Sequence, residues 1–122
     1  MGKKLLIADD EQFITSAYND GFQRAGFNVV VAHNGEEALQ KITSEKPDIV
    51  LLDLSMPKMN GFEVLKKIKA DPTLQTIPVL ILSNLSQEAD EAEVKKLGAT
   101  GFIVKSDISL QDLIVQVNQI IT

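Results

Sequence analysis

Five short apolar runs, none longer than four residues, alternate with longer segments in which apolar residues recur at helical spacing. The runs cover residues 5–8, 29–32, 49–52, 79–82 and 102–104. Continuous rather than alternating apolarity is typical of strands covered on both faces, as in a parallel sheet. Strands alternating with helices predict an α/β fold, a doubly wound (βα)5 unit with helices on both faces of one sheet.

The segments between the runs carry helical stripes and capping residues. Asn34 and Ser109 are predicted N-caps, and Gly26 and Gly98 are predicted C-terminal stops. The fourth helix is predicted over Ser86–Leu97, with acids early and lysines late. The predicted stripes are Phe13, Ile14, Ala17, Tyr18, Gly21, Phe22 and Ala25; Ala38, Leu39 and Ile42; Val64, Leu65 and Ile68; and Leu110, Leu113, Ile114, Val117, Ile120 and Ile121.

Length and composition narrow the class of protein. The chain has 122 residues, which predicts one domain over residues 1–122, and 44% of them are hydrophobic, a globular balance. A net charge of −5 argues against nucleic-acid binding through a basic field. The absence of cysteine excludes thiolate metal sites and disulfides, and no apolar run approaches the ~18 residues of a membrane span. We therefore expect a soluble, cytoplasmic protein.

Polar residues follow the predicted strands at their carboxyl ends. Asp53 closes the run at 49–52, although a lone buried carboxylate is costly without a partner charge, a metal or hydrogen bonds. Asp9 and Asp10 follow the first run, Ser83 follows the fourth and Lys105 follows the fifth. Ligands of open α/β sheets bind outside the carboxyl ends of the strands, where the strand order reverses. These residues are therefore the candidates for a functional site.

The residue types at these positions favour phosphoryl chemistry. If the first and third strands are neighbours, Asp9, Asp10 and Asp53 converge, and their mutual repulsion calls for a cation. A set of oxygen ligands without His or Cys favours a hard cation, and Mg²⁺ is the first candidate. Lys105 adds a second positive charge and Ser83 a hydroxyl donor. A metal, an ammonium and a hydroxyl around a carboxylate form a receptor for a phosphoryl group.

Each of these residues, taken alone, also has a plain structural interpretation. Asp10 can be a helix N-cap, Ser83 a turn residue and Lys105 a surface lysine. Their joint placement at one end of one sheet favours the functional interpretation. His33 has no carboxylate or nucleophile near it in sequence, so we expect it to face solvent.

At these residues the chain resembles the receiver domain of bacterial two-component response regulators, in particular the single-domain chemotaxis regulators. The resemblance covers essentially the whole chain. It implies a flavodoxin-like fold, a doubly wound five-stranded parallel sheet in the order 2-1-3-4-5. The residues that carry it are Leu6-Ile7-Ala8-Asp9-Asp10, the stretch from Asp53 to Met56-Pro57, Asn60-Gly61, Ser83, and Gly101-Phe102-Ile103-Val104-Lys105.

The resemblance also implies a phosphoacceptor and a metal site. Asp53 would accept a phosphoryl group from a phosphohistidine on a partner histidine kinase or phosphotransfer protein. Asp9, Asp10, Asp53 and the backbone carbonyl of Ser55 would hold Mg²⁺. Such a domain is a signalling module and not a turnover enzyme, with autodephosphorylation as its one intrinsic reaction.

A switch and an output face complete what the resemblance implies. Ser83 would bond a phosphoryl oxygen, Lys105 would pair with Asp53 or its phosphate, and Phe102 would be the aromatic switch residue that moves with Ser83. The surface of helix 4, strand 5 and helix 5 would then contact a downstream protein or a second copy of the chain. No direct contact with nucleic acid or membrane is expected.

The chain departs from the family pattern at a few positions. Ser106 stands where the family usually has proline after the lysine, and a cis bond before a residue other than proline costs about 3–4 kcal/mol. Asn84 stands where the family often has alanine or glycine, and we expect its side chain either to narrow access to the phosphorylation site or to add a polar contact there. In the family, the positions two beyond the phosphoacceptor and two beyond the switch hydroxyl flank the path of the hydrolytic water. Here these positions are Ser55 and Leu85, whose short and apolar side chains predict slow self-dephosphorylation.

Two other functions fit parts of the pattern. The chain could be a Mg²⁺-dependent phosphatase with Asp53 as nucleophile, although it offers no second domain to enclose a substrate. It could also be a constitutive binding module with a vestigial acidic pocket, although the complete set of acids, hydroxyl and lysine argues against that. Sustained turnover of small phosphomonoesters would identify the phosphatase.

Overall fold

A single parallel sheet forms the centre of the molecule, in a computed structural model that describes residues 2–84 and 88–121. Its strand order, β2-β1-β3-β4-β5, confirms the order that the resemblance implies. Each predicted apolar run lies within one strand. The strands are β1 Lys4–Ala8, β2 Asn28–Ala32, β3 Ile49–Asp53, β4 Val79–Ser83 and β5 Gly101–Val104.

Helices cover both faces of this sheet, as the alternating pattern predicts. The first and last helices pack on one face, and the other three pack on the opposite face. The predicted start of the fourth helix at Ser86 lies outside the described residues. The helices are α1 Gln12–Arg24, α2 Gly35–Glu45, α3 Gly61–Ala70, α4 Glu88–Lys96 and α5 Leu110–Ile121, and a short 3-10 helix spans Lys105–Asp107.

The central strands are buried on both sides, which is why their sequences are continuously apolar. In β1, Leu6 and Ala8 face the layer of α2, α3 and α4, whereas Leu5 and Ile7 face α1 and α5. All four side chains are fully buried. None of the helices in the described part of the chain is long and apolar enough to cross a membrane.

The predicted helix caps are confirmed. The side chain of Asn34 accepts the backbone N–H of Glu37 at 2.8 Å, and the hydroxyl of Ser109 accepts that of Asp112 at 3.1 Å. Gly26 and Gly98 have φ angles of +97° and +101° after α1 and α4, where a residue with a Cβ would be strained. These caps fix where the loops at the two ends of the sheet begin.

The predicted apolar stripe of α1 is wrong in part. Phe13 is 85% exposed, and Ala17 and Ala25 are exposed as well. The face that packs on the sheet is centred on Thr15, Tyr18 and Phe22, spaced by three and four residues. Phe13 lies about 200° around the helix from Thr15, so it cannot share that face. Because a polar threonine occupies a buried position, the pattern of apolar residues did not indicate which face of the helix packs on the sheet.

Candidate functional site

The sheet register brings the candidate carboxylates together. Ala8 pairs with Leu52 in the parallel sheet, so Asp9 and Asp10, which follow β1, lie beside Asp53 at the end of β3. One carboxylate oxygen from each of the three acids lies within 4.8 Å of the others. The predicted convergence is therefore present in the structure.

A groove of about 860 Å³ opens over these strand ends. Asp53 and Ser83 are buried at its floor, and Asp10 is exposed at its rim. Ser55 and Asn84, both exposed, line the groove as well. Leu85, which is expected beside the path of the hydrolytic water, lies outside the described residues.

Lys105 reaches this site from the end of β5 and is buried there. Its ammonium Nζ lies 2.5 Å from Asp9 Oδ2, 3.0 Å from Glu11 Oε2 and 3.6 Å from Asp53 Oδ1. The peptide bonds of the described residues are all trans, including Lys105–Ser106, and the chain continues directly into the 3-10 helix. Serine in place of proline is thus compatible with a lysine side chain that points into the acidic site.

Asp9 and Asp10 have different surroundings, although they are adjacent in sequence. Asp9 is fully buried; its Oδ2 contacts Lys105, and its Oδ1 accepts the backbone N–H of Glu11 at 2.9 Å. Asp10 is exposed and lines the groove together with Asp53. Asp10 and Asp53 therefore present carboxylate to the groove, whereas Asp9 lies beneath them and orients the lysine.

The loop after Asp53 returns closely against its own strand. A Cβ at Gly61 would lie 2.4 Å from the carbonyl oxygen of Asp53 and 2.8 Å from the Cα of Leu54, so a larger residue would displace the backbone that carries Asp53. Asn60 and Glu63 form a reciprocal capping box at the start of α3. Asn60-Gly61, predicted as a turn, is therefore the start of a helix that packs tightly against the candidate site.

Burial and like charge make Asp53 hard to ionise in the metal-free protein. Burial, with the nearby carboxylate of Asp9, raises the pKa of Asp53 to about 6, although Lys105 and the backbone N–H of Ser55 act in the opposite direction. Burial lowers the pKa of Lys105, but its bonds to Asp9 and Glu11 and the charge of Asp53 outweigh this and raise it. Lys105 is therefore charged, and the acids around it still carry unbalanced negative charge.

The raised pKa of Asp53 predicts a pH-dependent stability. An aspartate in the unfolded chain has a pKa of about 3.9, so between that value and about 6 the native state binds more protons than the unfolded state. The free energy of unfolding should then fall as pH rises through this window, by about 2–3 kcal/mol, and level off above it. Chemical denaturation of the metal-free protein at several pH values measures the change.

The control for this measurement is the Asp53→Asn variant, which has no carboxyl group to titrate at this position. Its pH profile should lack the fall, so the difference between the two profiles isolates Asp53 from the other acids. Profiles that run parallel across the window would contradict the assignment.

The donor set fits a hard divalent cation. The three acids offer oxygen atoms alone, and their mutual repulsion is the kind that a bound cation relieves. The Ser55 residue, whose carbonyl is the further expected ligand, lines the same groove. This chemistry favours Mg²⁺ over metals that prefer nitrogen or sulfur ligands.

The structure also places the remaining predicted residues. Phe102 is half-buried on β5, directly beside Ile81 of β4, and packs against the core layer of α2, α3 and α4. His33 is exposed, as expected. Glu11 contacts Lys105 but was not among the predicted site residues. A third consecutive acid after β1 is the sequence signal that could have identified it.

Comparison with known proteins assigns the family. The response regulator receiver domain family matches residues 5–118, and the chain belongs to it. Domains of this family are signalling modules that work with histidine kinases and downstream effectors, and they generally depend on Mg²⁺. The cluster of Asp9, Asp10 and Asp53 is compatible with that dependence.

Individual relatives include one of similar length and one that is much longer. The chain is 42% identical over 107 residues to the chemotaxis protein CheY of Thermotoga maritima, with 86% of this chain and 87% of CheY covered. It is 37% identical over 105 residues to the alkaline phosphatase synthesis transcriptional regulatory protein PhoP of Bacillus subtilis, with 86% of this chain covered. It spans only 43% of the length of PhoP.

Solved structures show the same fold. The chemotaxis response regulator CheY4 of Vibrio cholerae superposes with a TM-score of 0.90 at 30% identity, with 98% of each chain covered. The receiver domain of Francisella response regulator 1452 superposes with a TM-score of 0.87 at 32% identity, covering 96% of this chain and 94% of that one.

Proposed function

We propose that residues 1–122 act as a phosphorylation-dependent signalling domain in which Asp53 accepts a phosphoryl group from a phosphohistidine on a partner kinase or phosphotransfer protein. The observation that carries the proposal is the position of Asp53. It is a buried carboxylate on the floor of an open groove, with Lys105 Nζ at 3.6 Å and two further acids within 4.8 Å. Structural stability alone gives no reason to gather these charges.

The residues of the site divide the work of phosphoryl transfer. An oxygen of Asp53 forms the new bond to phosphorus while the bond from phosphorus to the donor nitrogen breaks, and the donor would approach Asp53 through the groove that this residue lines. Asp9, Asp10, Asp53 and the Ser55 carbonyl would hold Mg²⁺, which supplies charge neutralisation for the phosphoryl oxygens. Ser83 donates to one phosphoryl oxygen, and Lys105 pairs with the phosphate.

The direct test uses a small-molecule donor. Incubation of the purified protein with acetyl phosphate and Mg²⁺ should add one phosphoryl group, measured by intact mass spectrometry. The product should be labile to hydroxylamine, as expected of an acyl phosphate, and EDTA should prevent its formation. A protein that stays unmodified with excess donor and metal, or a product that is stable to hydroxylamine, would refute the proposal.

Mg²⁺ should stabilise the folded protein, because only the native state gathers the three carboxylates. Binding to the native state alone adds about 1.4 kcal/mol to the free energy of unfolding when the free metal concentration is about ten times Kd. The melting temperature should therefore rise with Mg²⁺, and the Asp10→Ala variant should show a flatter rise. Equal shifts in both proteins would place the metal elsewhere.

The output face is proposed to be the surface of α4, β5 and α5. A groove of about 490 Å³ on this face is lined by Phe102 and by Val115, which is 50% exposed and lies off the buried stripe of α5. Ser83 and Phe102 stand on adjacent strands, and Phe102 would follow when Ser83 shifts toward a phosphate. A downstream protein or a second copy would need different affinities for the two states to respond.

The proposed domain has no external substrate, and its phosphoryl group should be lost slowly. The side chain of Ser55 is too short to hold a water in line with the phosphorus, and the side chain of Leu85 has no hydrogen-bonding group. Decay of the phosphoprotein should therefore be faster in a Ser55→Asn, Leu85→Glu double variant than in the wild type, as followed by intact mass. Equal decay rates would show that water positioning at these residues does not limit hydrolysis.

The protein should show no sustained turnover of small phosphomonoesters.

A further inference from the structure

Glu11 occupies the N-cap position of α1 but does not cap the helix. Its backbone is extended, with φ −84° and ψ 103°, and its side chain makes no hydrogen bond to the first turn. The carboxylate instead reaches Lys105, with Oε2 at 3.0 Å from Nζ. A side chain that could satisfy a helix terminus is thus directed to the lysine of the site.

The contacts of Lys105 are uneven. Asp9 and Glu11 both lie within hydrogen-bonding distance of the ammonium, whereas Asp53 lies at 3.6 Å, beyond that distance. Lys105 is almost fully buried, so it has few alternatives to these carboxylates. The lysine is therefore held on the β1 side of the site, away from the carboxylate that it is expected to serve.

Glu11 differs from Asp9 in a way that matters for exchange. Asp9 is fully buried and is fixed further by the N–H of Glu11, whereas the side chain of Glu11 is 46% exposed. Solvent can therefore replace Lys105 as the partner of Glu11 at little cost, but not as the partner of Asp9. Of the two anchors, Glu11 is the one that Lys105 can leave.

We infer that Glu11 is a positioning residue that holds Lys105 in the unphosphorylated protein and releases it when a phosphoryl group on Asp53 competes for the ammonium. This inference rests on the proposed function of Asp53 and adds a residue that regulates it. Because the contact with Glu11 must break, its strength opposes the phosphorylated geometry. Weakening the contact should make that geometry easier to form.

The test measures binding of beryllofluoride, which stands in for the phosphoryl group on Asp53, at fixed Mg²⁺ by NMR titration. The Glu11→Gln variant should bind it about two- to fivefold more tightly than the wild type, the range expected for one half-exposed ion pair. The Glu11→Asp variant keeps the charge but shortens the side chain by about 1.5 Å, so it should lose the contact and show the same gain. It should also fold normally, because aspartate is a good N-cap.

The matched control is Asp20→Asn. Asp20 lies on the same helix and forms an exposed ion pair with Arg24 at 3.1 Å, so the variant loses one charge and one ion pair without touching Lys105. Its affinity for beryllofluoride should equal that of the wild type. If Glu11→Asp behaves as the wild type while Glu11→Gln gains affinity, overall charge and not the contact is responsible, and the inference is wrong.

A second readout follows the contact itself. In the metal-free protein, the ¹⁵N resonance of the Lys105 ammonium should shift in both Glu11 variants and stay unchanged in Asp20→Asn. In the wild type, the ¹³C resonance of the Glu11 carboxylate should shift when beryllofluoride and Mg²⁺ are added, because the lysine leaves it. A Glu11 carboxylate that does not respond while the rest of the site does would overturn the inference alone. A wild type with no response anywhere would overturn the proposed function together with it.

Discussion

Replacing Asp53 by asparagine should abolish phosphoryl acceptance and, in the same protein, raise the stability of the metal-free fold. The amide has no nucleophilic oxygen anion to attack phosphorus, so acetyl phosphate with Mg²⁺ should leave the variant unmodified by intact mass. The substitution also removes a carboxylate whose charged form is disfavoured by burial and by the nearby Asp9, which raise the pKa of Asp53 to about 6. The difference between this pKa and the value of about 3.9 in the unfolded chain corresponds to about 2–3 kcal/mol of unfolding free energy above neutral pH.

Two comparisons make this result specific. The Asp20→Asn variant loses an exposed carboxylate on α1 and should accept the phosphoryl group normally, with a stability change below about 1 kcal/mol. Saturating Mg²⁺ should narrow the stability gap between Asp53→Asn and the wild type, because the metal offsets the repulsion that the amide removes. Full labelling of Asp53→Asn would show that the phosphoacceptor is another residue. An unchanged free energy of unfolding would show that the buried charge of Asp53 does not destabilise the wild-type protein.

Replacing Lys105 by methionine should destabilise the metal-free protein by about 3 kcal/mol or more. Lys105 is a buried cation within 4 Å of Asp9, Glu11 and Asp53, and Asp9 is fully buried. Methionine retains most of the apolar stem but leaves these carboxylates without the ammonium, and removing one partner of a buried ion pair costs about 3–5 kcal/mol. Urea denaturation in EDTA measures the loss.

Mg²⁺ should restore part of this stability, since it supplies positive charge to the same acids. The matched control is Lys95→Met, which removes an exposed ion pair with Glu91 and should cost less than about 1 kcal/mol. A Lys105→Met variant as stable as the wild type in EDTA would mean that the buried acids do not depend on the lysine for neutralisation.

The amino-acid sequence alone determined most of the fold and the composition of the site. Continuous apolar runs predicted strands buried on both faces, because a parallel sheet covered by helices leaves no polar face on its central strands. Asn34, Ser109, Gly26 and Gly98 marked the helix ends correctly, since capping depends on a few neighbouring residues. The periodicity of apolar residues did not predict the buried face of α1, because the polar Thr15 is buried and the apolar Phe13 is exposed.

Only the tertiary structure decided how the charges are paired. Glu11 and Lys105 are 94 residues apart in the chain, and their contact depends on β1 and β5 both ending at the same edge of the sheet. The different exposures of Asp9 and Asp10, adjacent and chemically identical, likewise follow from which side of the β1 end each side chain leaves. Residue types predict which groups can bind a phosphoryl group. Which carboxylate holds the lysine, and which carboxylate has a raised pKa, depends on distance and burial, because electrostatic free energies depend on both of these.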